Sequence, residues 1–448
     1  MQEINTLLTI LVFALNILAV VLFYKRRSWV ATLLFASYLV RAFLCILFER
    51  GGLKYIFVID SLTFELRAWL LAQPWISADL LSALADGPVE TFTYYEIFLG
   101  YIFEFFGRDT LIATLVNSLL STLTIFLVYR VKLDFFSDEE DTAIYGCNPS
   151  AVITTIILGL YPSYLVWSAT NIRDPLYFFS TLLFFYFFFS AFSPRSTTRW
   201  FGRIVSFFVC LFSFWMVLGL RSYVGNLFLA AIIMGYVLVF LLRFIPMRVF
   251  AIVSTLVPVG GAYLYQALFP ASTLKILADL TRMRLNFANL RLLDSVAKSS
   301  FGLERSFSSV TDVLNFLPNA LLHYFFGPFP WEITGFVQGI SFLETVVIMV
   351  LAYPTLKGIK RAYVRCPTES VIILSFVVSF VVAQGMVISN MGTIFRHRSL
   401  PFLFLSIFAG EGVYELYKKS FQAFFKAEHW RALNPRRKPF RGNEPARL

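Results

Sequence analysis

Residues 150–195 read SAVITTIILGLYPSYLVWSATNIRDPLYFFSTLLFFYFFFSAFSPR. Two apolar runs, 150–170 and 175–193, flank one short polar turn, Asn171-Ile172-Arg173-Asp174-Pro175. A helix rises 1.5 Å per residue, so about 20 apolar residues cross the ~30 Å hydrocarbon core of a bilayer. Each run is long enough to cross, and the turn between them allows only a tight reversal. The stretch predicts a helical hairpin inside a membrane.

The same pattern recurs outward from this hairpin, at 5–24, 29–48, 110–130, 204–220, 224–243, 249–268, 336–356, 369–389 and 400–416. The fold predicted is an all-α polytopic membrane protein with about 11 spans. Composition agrees: 58% of the 448 residues are hydrophobic and 15% charged, with a mean hydropathy of +0.72. A water-soluble domain carries about a quarter charged residues. Aromatic residues reach 18%, with 52 Phe, which suits lipid-facing surfaces and interfacial belts. The net charge of +11 excludes no class by itself. Its placement in short clusters between apolar runs is orientation information and argues against nucleic acid as a partner.

Those clusters are Lys25-Arg26-Arg27, Arg130/Lys132, Arg195/Arg199/Arg203, Arg243/Arg248, Lys357/Lys360/Arg361/Arg365 and the tail from Lys418 onward. All fall on one side of the threading. The positive-inside rule then puts the C-terminus in the cytoplasm and the N-terminus outside a plasma membrane, crossed many times. Residues 92–107 and 314–331 are apolar but short or proline-rich, and are predicted to lie on the outer leaflet. The chain divides into a membrane domain, 1–416, with large extracytoplasmic loops at about 49–109 and 269–335, and a basic tail, 417–448, that attracts anionic lipid. Between 275 and 312 the second loop holds Lys275, Arg282, Arg284, Arg291, Lys298 and Arg305 against four carboxylates. Basic residues kept outside suit either a phosphate-bearing partner or a solvated helical pair.

Charged residues at the outer ends of spans are the chemically informative ones. Asp60, in YIFVIDSLTFELRAWLLA, is a carboxylate beside apolar residues, suited to general-base work or to an ordinary helix cap. In the turn of the hairpin, Asp174 is expected as the N-cap of the next helix and Pro175 in its first turn, which leaves Arg173 facing the interface where lipid phosphates lie. Arg396-His397-Arg398 is an unusually basic outer connection, and Arg binds phosphate in a bidentate fork. Arg221, at the outer end of another span, joins the same patch. Arg41 lies deep in the second span and is expected to make a structural ion pair.

Other signals carry less. Asp138-Glu139-Glu140-Asp141 reads as a solvated acidic loop. His323, His397 and His429 are too dispersed for a zinc site, no phosphate-binding loop for nucleotides is present, and the four Cys form no close pair. Gly260-Gly261 reads as helix packing, and no repeat of fixed period is visible.

Three stretches together carry a family resemblance: Asp60-x-x-x-Phe64-x-x-x-Ala68, YPSYLVWSATNIRDPLYFF (Tyr161 to Phe179) and FRHRSLPFLFL (Phe395 to Leu405), with FFGPFPWE (Phe325 to Glu332) beside them. The chain resembles the GT-C-fold glycosyltransferases, polytopic enzymes that take a sugar from a polyprenyl-phosphate carrier, including protein mannosyltransferase-like and aminoarabinose transferase-like members. It departs from their pattern in having two spans before Asp60, no second carboxylate immediately beside it, and no large soluble C-terminal domain. The resemblance implies an inverting transfer on the extracytoplasmic face. Asp60 would be the catalytic carboxylate, and Arg396 and Arg398, with Arg173, His397, Lys275 and Arg221, would surround the phosphate of the sugar donor. It leaves open a divalent cation, the sugar, and whether the acceptor is lipid, glycan or protein. Two other expectations stand beside it. One is a polysaccharide polymerase or ligase using a lipid-diphosphate-linked glycan. The other is a lipid-linked sugar flippase, which would place paired charges near the bilayer midplane.

Overall fold

Helix is the form in which a single apolar segment bonds all its own N–H and C=O groups, and the apolar runs take it throughout. The structure, a computed structural model, describes residues 9, 11–17, 28–53, 60–73, 93–137, 148–242, 244, 259–260, 262–292, 301, 306–333 and 335–433. No β-strand occurs among the described residues. The main elements are α1 (Ser28–Arg50), α2 (Asp60–Leu71), α3 (Tyr94–Phe106), α4 (Thr110–Phe136), α5 (Pro149–Gly159), α6 (Pro162–Ser168), α7 (Asp174–Phe192) and α8 (Trp200–Leu220). They continue with α9 (Ser222–Leu242), α10 (Pro270–Leu292), α11 (Val310–Phe326), α12 (Phe336–Arg365), α13 (Pro367–Val387), α14 (Met391–His397) and α15 (Ser399–Leu433).

Eight of these helices (α1, α4, α7, α8, α9, α12, α13 and α15) are long and apolar enough to cross a membrane. The chain is a multi-pass membrane protein by that measure. The run 150–170 is not one straight rod: α5 and α6 meet at a 61° bend and qualify only together. Pro162 at the start of α6 lacks an N–H and disfavours helical geometry at Tyr161, so the break falls there. The predicted spans 5–24 and 249–268, the loop Asp138–Asp141, Cys147 and the tail beyond 433 lie largely or wholly outside the described residues.

The two short segments have definite starts. α3 opens with a capping box between Thr93 and Glu96 and has 13 residues. α11 opens with one between Ser309 and Asp312 and has 17. At 1.5 Å per residue both fall short of a bilayer core. Hydrogen bonds from Ser308 and Ser309 hold the Asp312 carboxyl down at about 2.

Contacts sort the helix ends into two groups. At one end Thr110 at the head of α4 donates to Glu49 at the foot of α1, 2.7 Å away, and α2, α7 and α14 gather beside them. At the opposite end Arg195 reaches the Phe135 carbonyl, Ser193 donates to Glu369, and Glu411 collects cations from α4 and α12. Helices α12 and α15 run parallel between the two ends. Gly358 lies against the Phe408 carbonyl and Gly412 against the Pro354 carbonyl, each where a Cβ would collide with backbone. Gly410 lies in the same way against α5. Small residues of this kind let helix backbones approach where lipid supplies no hydrophobic drive.

Three expectations change. Phe is not confined to lipid-facing surfaces: Phe185 meets Phe376 at 5.1 Å and Phe404 at 4.9 Å, all of them buried, and forms an aromatic core between helices. Arg41 is fully buried but makes no ion pair among the described residues. It bonds Ser37 of its own helix and lies over the Tyr164 ring at 5.2 Å. The basic excess of the second loop is partly structural, because Arg284 is buried, bonds the carbonyls of Met386 and Phe301, and stacks on Phe316 at 4.3 Å.

Candidate functional site

The turn of the opening hairpin is held from two sides. Asn117 in α4 donates to the carbonyls of Thr170 (2.9 Å) and Ile172 (3.3 Å). Asn171 donates to Glu65 of α2 at 2.8 Å and to the Thr110 carbonyl at 3.1 Å. These bonds satisfy the buried turn and bring α2, with Asp60 at its head, beside the head of α7.

Asp174 is not the cap expected of it. Arg173 occupies the cap position of α7 and makes no side-chain cap bond, while Asp174 is the first helical residue. Its carboxylate instead receives two guanidiniums. Arg221 Nη2 reaches Oδ1 at 2.9 Å, and Arg396 grips Oδ2 with Nε at 2.5 Å and with Nη2. The remaining Nη1 of Arg396 holds Asp60 Oδ2 at 3.0 Å. Exposure grades outward along this line: Asp174 is 1% exposed, Arg396 11% and Asp60 63%.

His397 acts through Arg221. Its Nδ1–H donates to Gln384 Oε1 at 2.6 Å, and its Nε2 accepts from Arg221 Nη1 at 2.9 Å, which requires the neutral ring. Burial, and then the Arg221 cation, hold the imidazolium form well below the ordinary histidine range. His397 is therefore no extra cation. It aims Arg221, whose Nη1 also donates to the Tyr223 hydroxyl at 2.9 Å.

Arg173 differs from its neighbours. Its Nη1 reaches only the Leu220 carbonyl, at 3.4 Å, its plane lies over the Phe64 ring at 6.0 Å, and its buried Nε bonds nothing. Burial, Arg221 and Arg396 lower its proton affinity to about 10, so it stays a cation at neutral pH. Of the three guanidiniums here it alone makes no ion pair among the described residues. The uncapped N–H groups at the start of α7 add positive potential on the same side.

The structure thus brings together Asp60, Arg173, Arg221, Arg396 and His397, five of the seven residues singled out from the sequence. Arg398 turns the other way. It is 1% exposed, bonds Thr345 and the Gly327 carbonyl, and lies 3.6 Å from Glu344 of α12, a buried carboxylate that also accepts from the Ser163 N–H. It is part of the scaffold. Lys275 stands exposed on α10 and touches none of these groups. Among the described residues no group of three or more His, Cys, Asp or Glu is placed to hold a metal ion. Asp174, Gln384 and Tyr223 are the members that sequence reasoning missed. Tyr223 stood two residues after an identified arginine, whereas Gln384 lay unmarked in an apolar run.

Chemically the cluster presents three guanidiniums at one end of the bundle, with an exposed carboxylate on its rim, an arrangement that can pair with an anion. No family model matches the chain, no curated protein is similar to it, and no solved structure resembles it.

Proposed function

We propose that the chain is a glycosyltransferase of about eleven spans, N-terminus outside, that moves a sugar from a polyprenyl-phosphate carrier to a hydroxyl on the extracytoplasmic face. The observation that carries this reading is Arg173, a half-buried guanidinium without a carboxylate among the described residues, within electrostatic reach of Arg221 and Arg396. Drawing a charge out of water without pairing it is costly, and a phosphate oxygen is its natural partner. In the cluster three guanidiniums face two carboxylates, which leaves one positive charge. A sugar linked through a phosphodiester carries one negative charge, whereas a diphosphate link carries two.

Asp60 has a double role in this reading. Without substrate it occupies the outer Nη1 of Arg396. An arriving phosphate competes for that guanidinium and frees the carboxylate. The acceptor oxygen then attacks the anomeric carbon as its proton passes to Asp60. The bond from that carbon to the phosphate oxygen breaks, and polyprenyl phosphate leaves with the electron pair, its charge held by Arg173, Arg221 and Arg396. One displacement inverts the anomeric centre.

The test uses the purified protein in nanodiscs with radiolabelled polyprenyl-phosphate sugars and measures both binding and transfer. Arg173→Ala should bind bare polyprenyl phosphate at least tenfold more weakly. Asp60→Asn should bind it more tightly than the unaltered protein, because the competing carboxylate is gone, and should not transfer. Unchanged binding in Arg173→Ala, or weaker binding in Asp60→Asn, would remove the phosphate grip from consideration.

A further inference from the structure

The phosphate grip leaves a second set of groups unexplained. The hydroxyls of Tyr177 and Tyr324 are fully enclosed and have no hydrogen-bond partner among the described residues, and neither has Nε of Arg221. The ring of Tyr177 lies under the Arg221 guanidinium at 5.3 Å. Tyr223, whose hydroxyl accepts from the same guanidinium at 2.9 Å, lies within electrostatic reach of both other phenols. Tyr223 is 40% exposed, so the group has an accessible member. Three phenols from α7, α9 and α11 thus lie within electrostatic reach of one another, two of them against Arg221 and two of them with idle hydroxyls.

Native proteins seldom bury a hydroxyl without a partner, because each such loss forfeits a hydrogen bond that water would have made. Idle groups of this kind imply an occupant. Its chemistry follows from the groups: a phosphate offers only acceptors, whereas a phenol both donates and accepts and so matches a carbinol hydroxyl. In a glycosyl phosphate the anomeric carbon is one oxygen away from phosphorus. The sugar ring must therefore lie beside whichever guanidinium holds the phosphate; Tyr177 and Tyr223 meet Arg221, and Tyr324 is within electrostatic reach of both phenols.

Resting on the reading of the grip as a lipid-phosphate site, we infer that Tyr177, Tyr223 and Tyr324 form the subsite for the sugar of the carrier lipid and bond its ring hydroxyls. The phenols, not the arginines, then decide which sugar is accepted.

The experiment compares two lipids on the full-length protein in nanodiscs: bare polyprenyl phosphate, and polyprenyl phosphate carrying glucose, mannose or galactose. The unaltered protein should bind at least one sugar-bearing lipid more tightly than the bare one. Tyr177→Phe and Tyr324→Phe should each shrink that advantage by roughly two- to tenfold while leaving bare-lipid affinity as it was. Removing an idle buried hydroxyl should not lower the melting temperature of Tyr177→Phe or Tyr324→Phe, which separates the effect from misfolding. An unaltered sugar advantage in both variants, with bare lipid still bound, overturns the subsite and leaves the phosphate grip standing; the idle hydroxyls would then hold only water. An equal loss for both lipids also overturns it, since the phenols would be serving the phosphate. Binding of neither lipid by the unaltered protein sinks the subsite and the grip together.

Discussion

The two ends of the bundle hold charge clusters with the same inventory and different pairing. At one end Glu411 and Glu415 meet Lys132, Arg361 and Arg365, and every cation there has a carboxylate: Lys132 reaches Glu411 at 2.5 Å, Arg361 reaches both acids, and Arg365 reaches Glu411. At the other end Asp60 and Asp174 meet Arg173, Arg221 and Arg396, and Arg173 is left over. Three cations against two carboxylates is the count in both places, so net charge does not separate a fastening from a binding site. Pairing does, together with the exposure of Asp60. Four predictions test that distinction.

The largest effect is expected at Asp60. Asp60→Asn should lower transfer by about 10²–10⁴-fold, the usual contribution of a positioned general base, with an unchanged melting temperature because the side chain is mostly in solvent. The matching change at the other end, Glu411→Gln, should do the reverse. It strands buried cations and should cost about 3–5 kcal/mol of stability in a denaturant titration. The fraction still folded should bind polyprenyl phosphate normally. If Glu411→Gln weakens lipid binding while the protein remains folded, the two ends are not functionally distinct.

A smaller contrast separates the arginines. Arg173→Met removes a half-buried cation that has no carboxylate partner among the described residues, so stability should hold or rise while lipid-phosphate affinity falls by about 1.5–3 kcal/mol. Arg365→Met should lower stability and spare affinity. Opposite signs in thermal melts and binding titrations are the expected outcome. Parallel losses in both variants would mean that Arg173 is also a fastening.

The smallest effect is a pH dependence at His397. The folded ring stays neutral below the ordinary histidine pKa, about 6.5, at which the unfolded ring takes up a proton. Above that pH both states are neutral and His397 makes no difference. As pH falls from about 6.5 toward the lower folded value, the unfolded state binds the extra proton, and stability drops by up to about 1.4 kcal/mol per pH unit. His397→Gln should abolish that part of the slope in melts taken from pH 7.5 to 5.5. Among the described residues no histidine meets the Glu411 cluster, so Glu411→Gln should leave the slope intact.

Membrane character and most spans were legible because hydropathy is a local property: a run of 20 apolar residues signals the same thing whatever surrounds it. The tight turn at 171–175 was legible for the same reason. What that turn does was not. A carboxylate at the head of a helix has one local meaning, capping, and only folding brings Arg221 and Arg396 to Asp174. Arg398 was misplaced for the converse reason. Its neighbour Arg396 faces the mouth, but Glu344, the residue that claims Arg398, sits inside an apolar run. Adjacent residues of a helical turn point to different faces, so spacing along the chain could not separate them. The bend between α5 and α6 was written in Pro162, yet the surrounding residues are apolar enough to read as one span.

Under the proposed function, the close seam between α12 and α15 bears on how a long isoprenoid chain would reach the mouth from the side. Those two helices are riveted near one end through Glu344 and Arg398, near the other through Glu411 with Arg361 and Arg365, and between them by glycines set against opposing backbone. A seam closed at three heights cannot part to admit a tail. Sideways traffic has to use some other boundary of the bundle, and a disulfide staple across α12 and α15 should leave the arrival of lipid untouched.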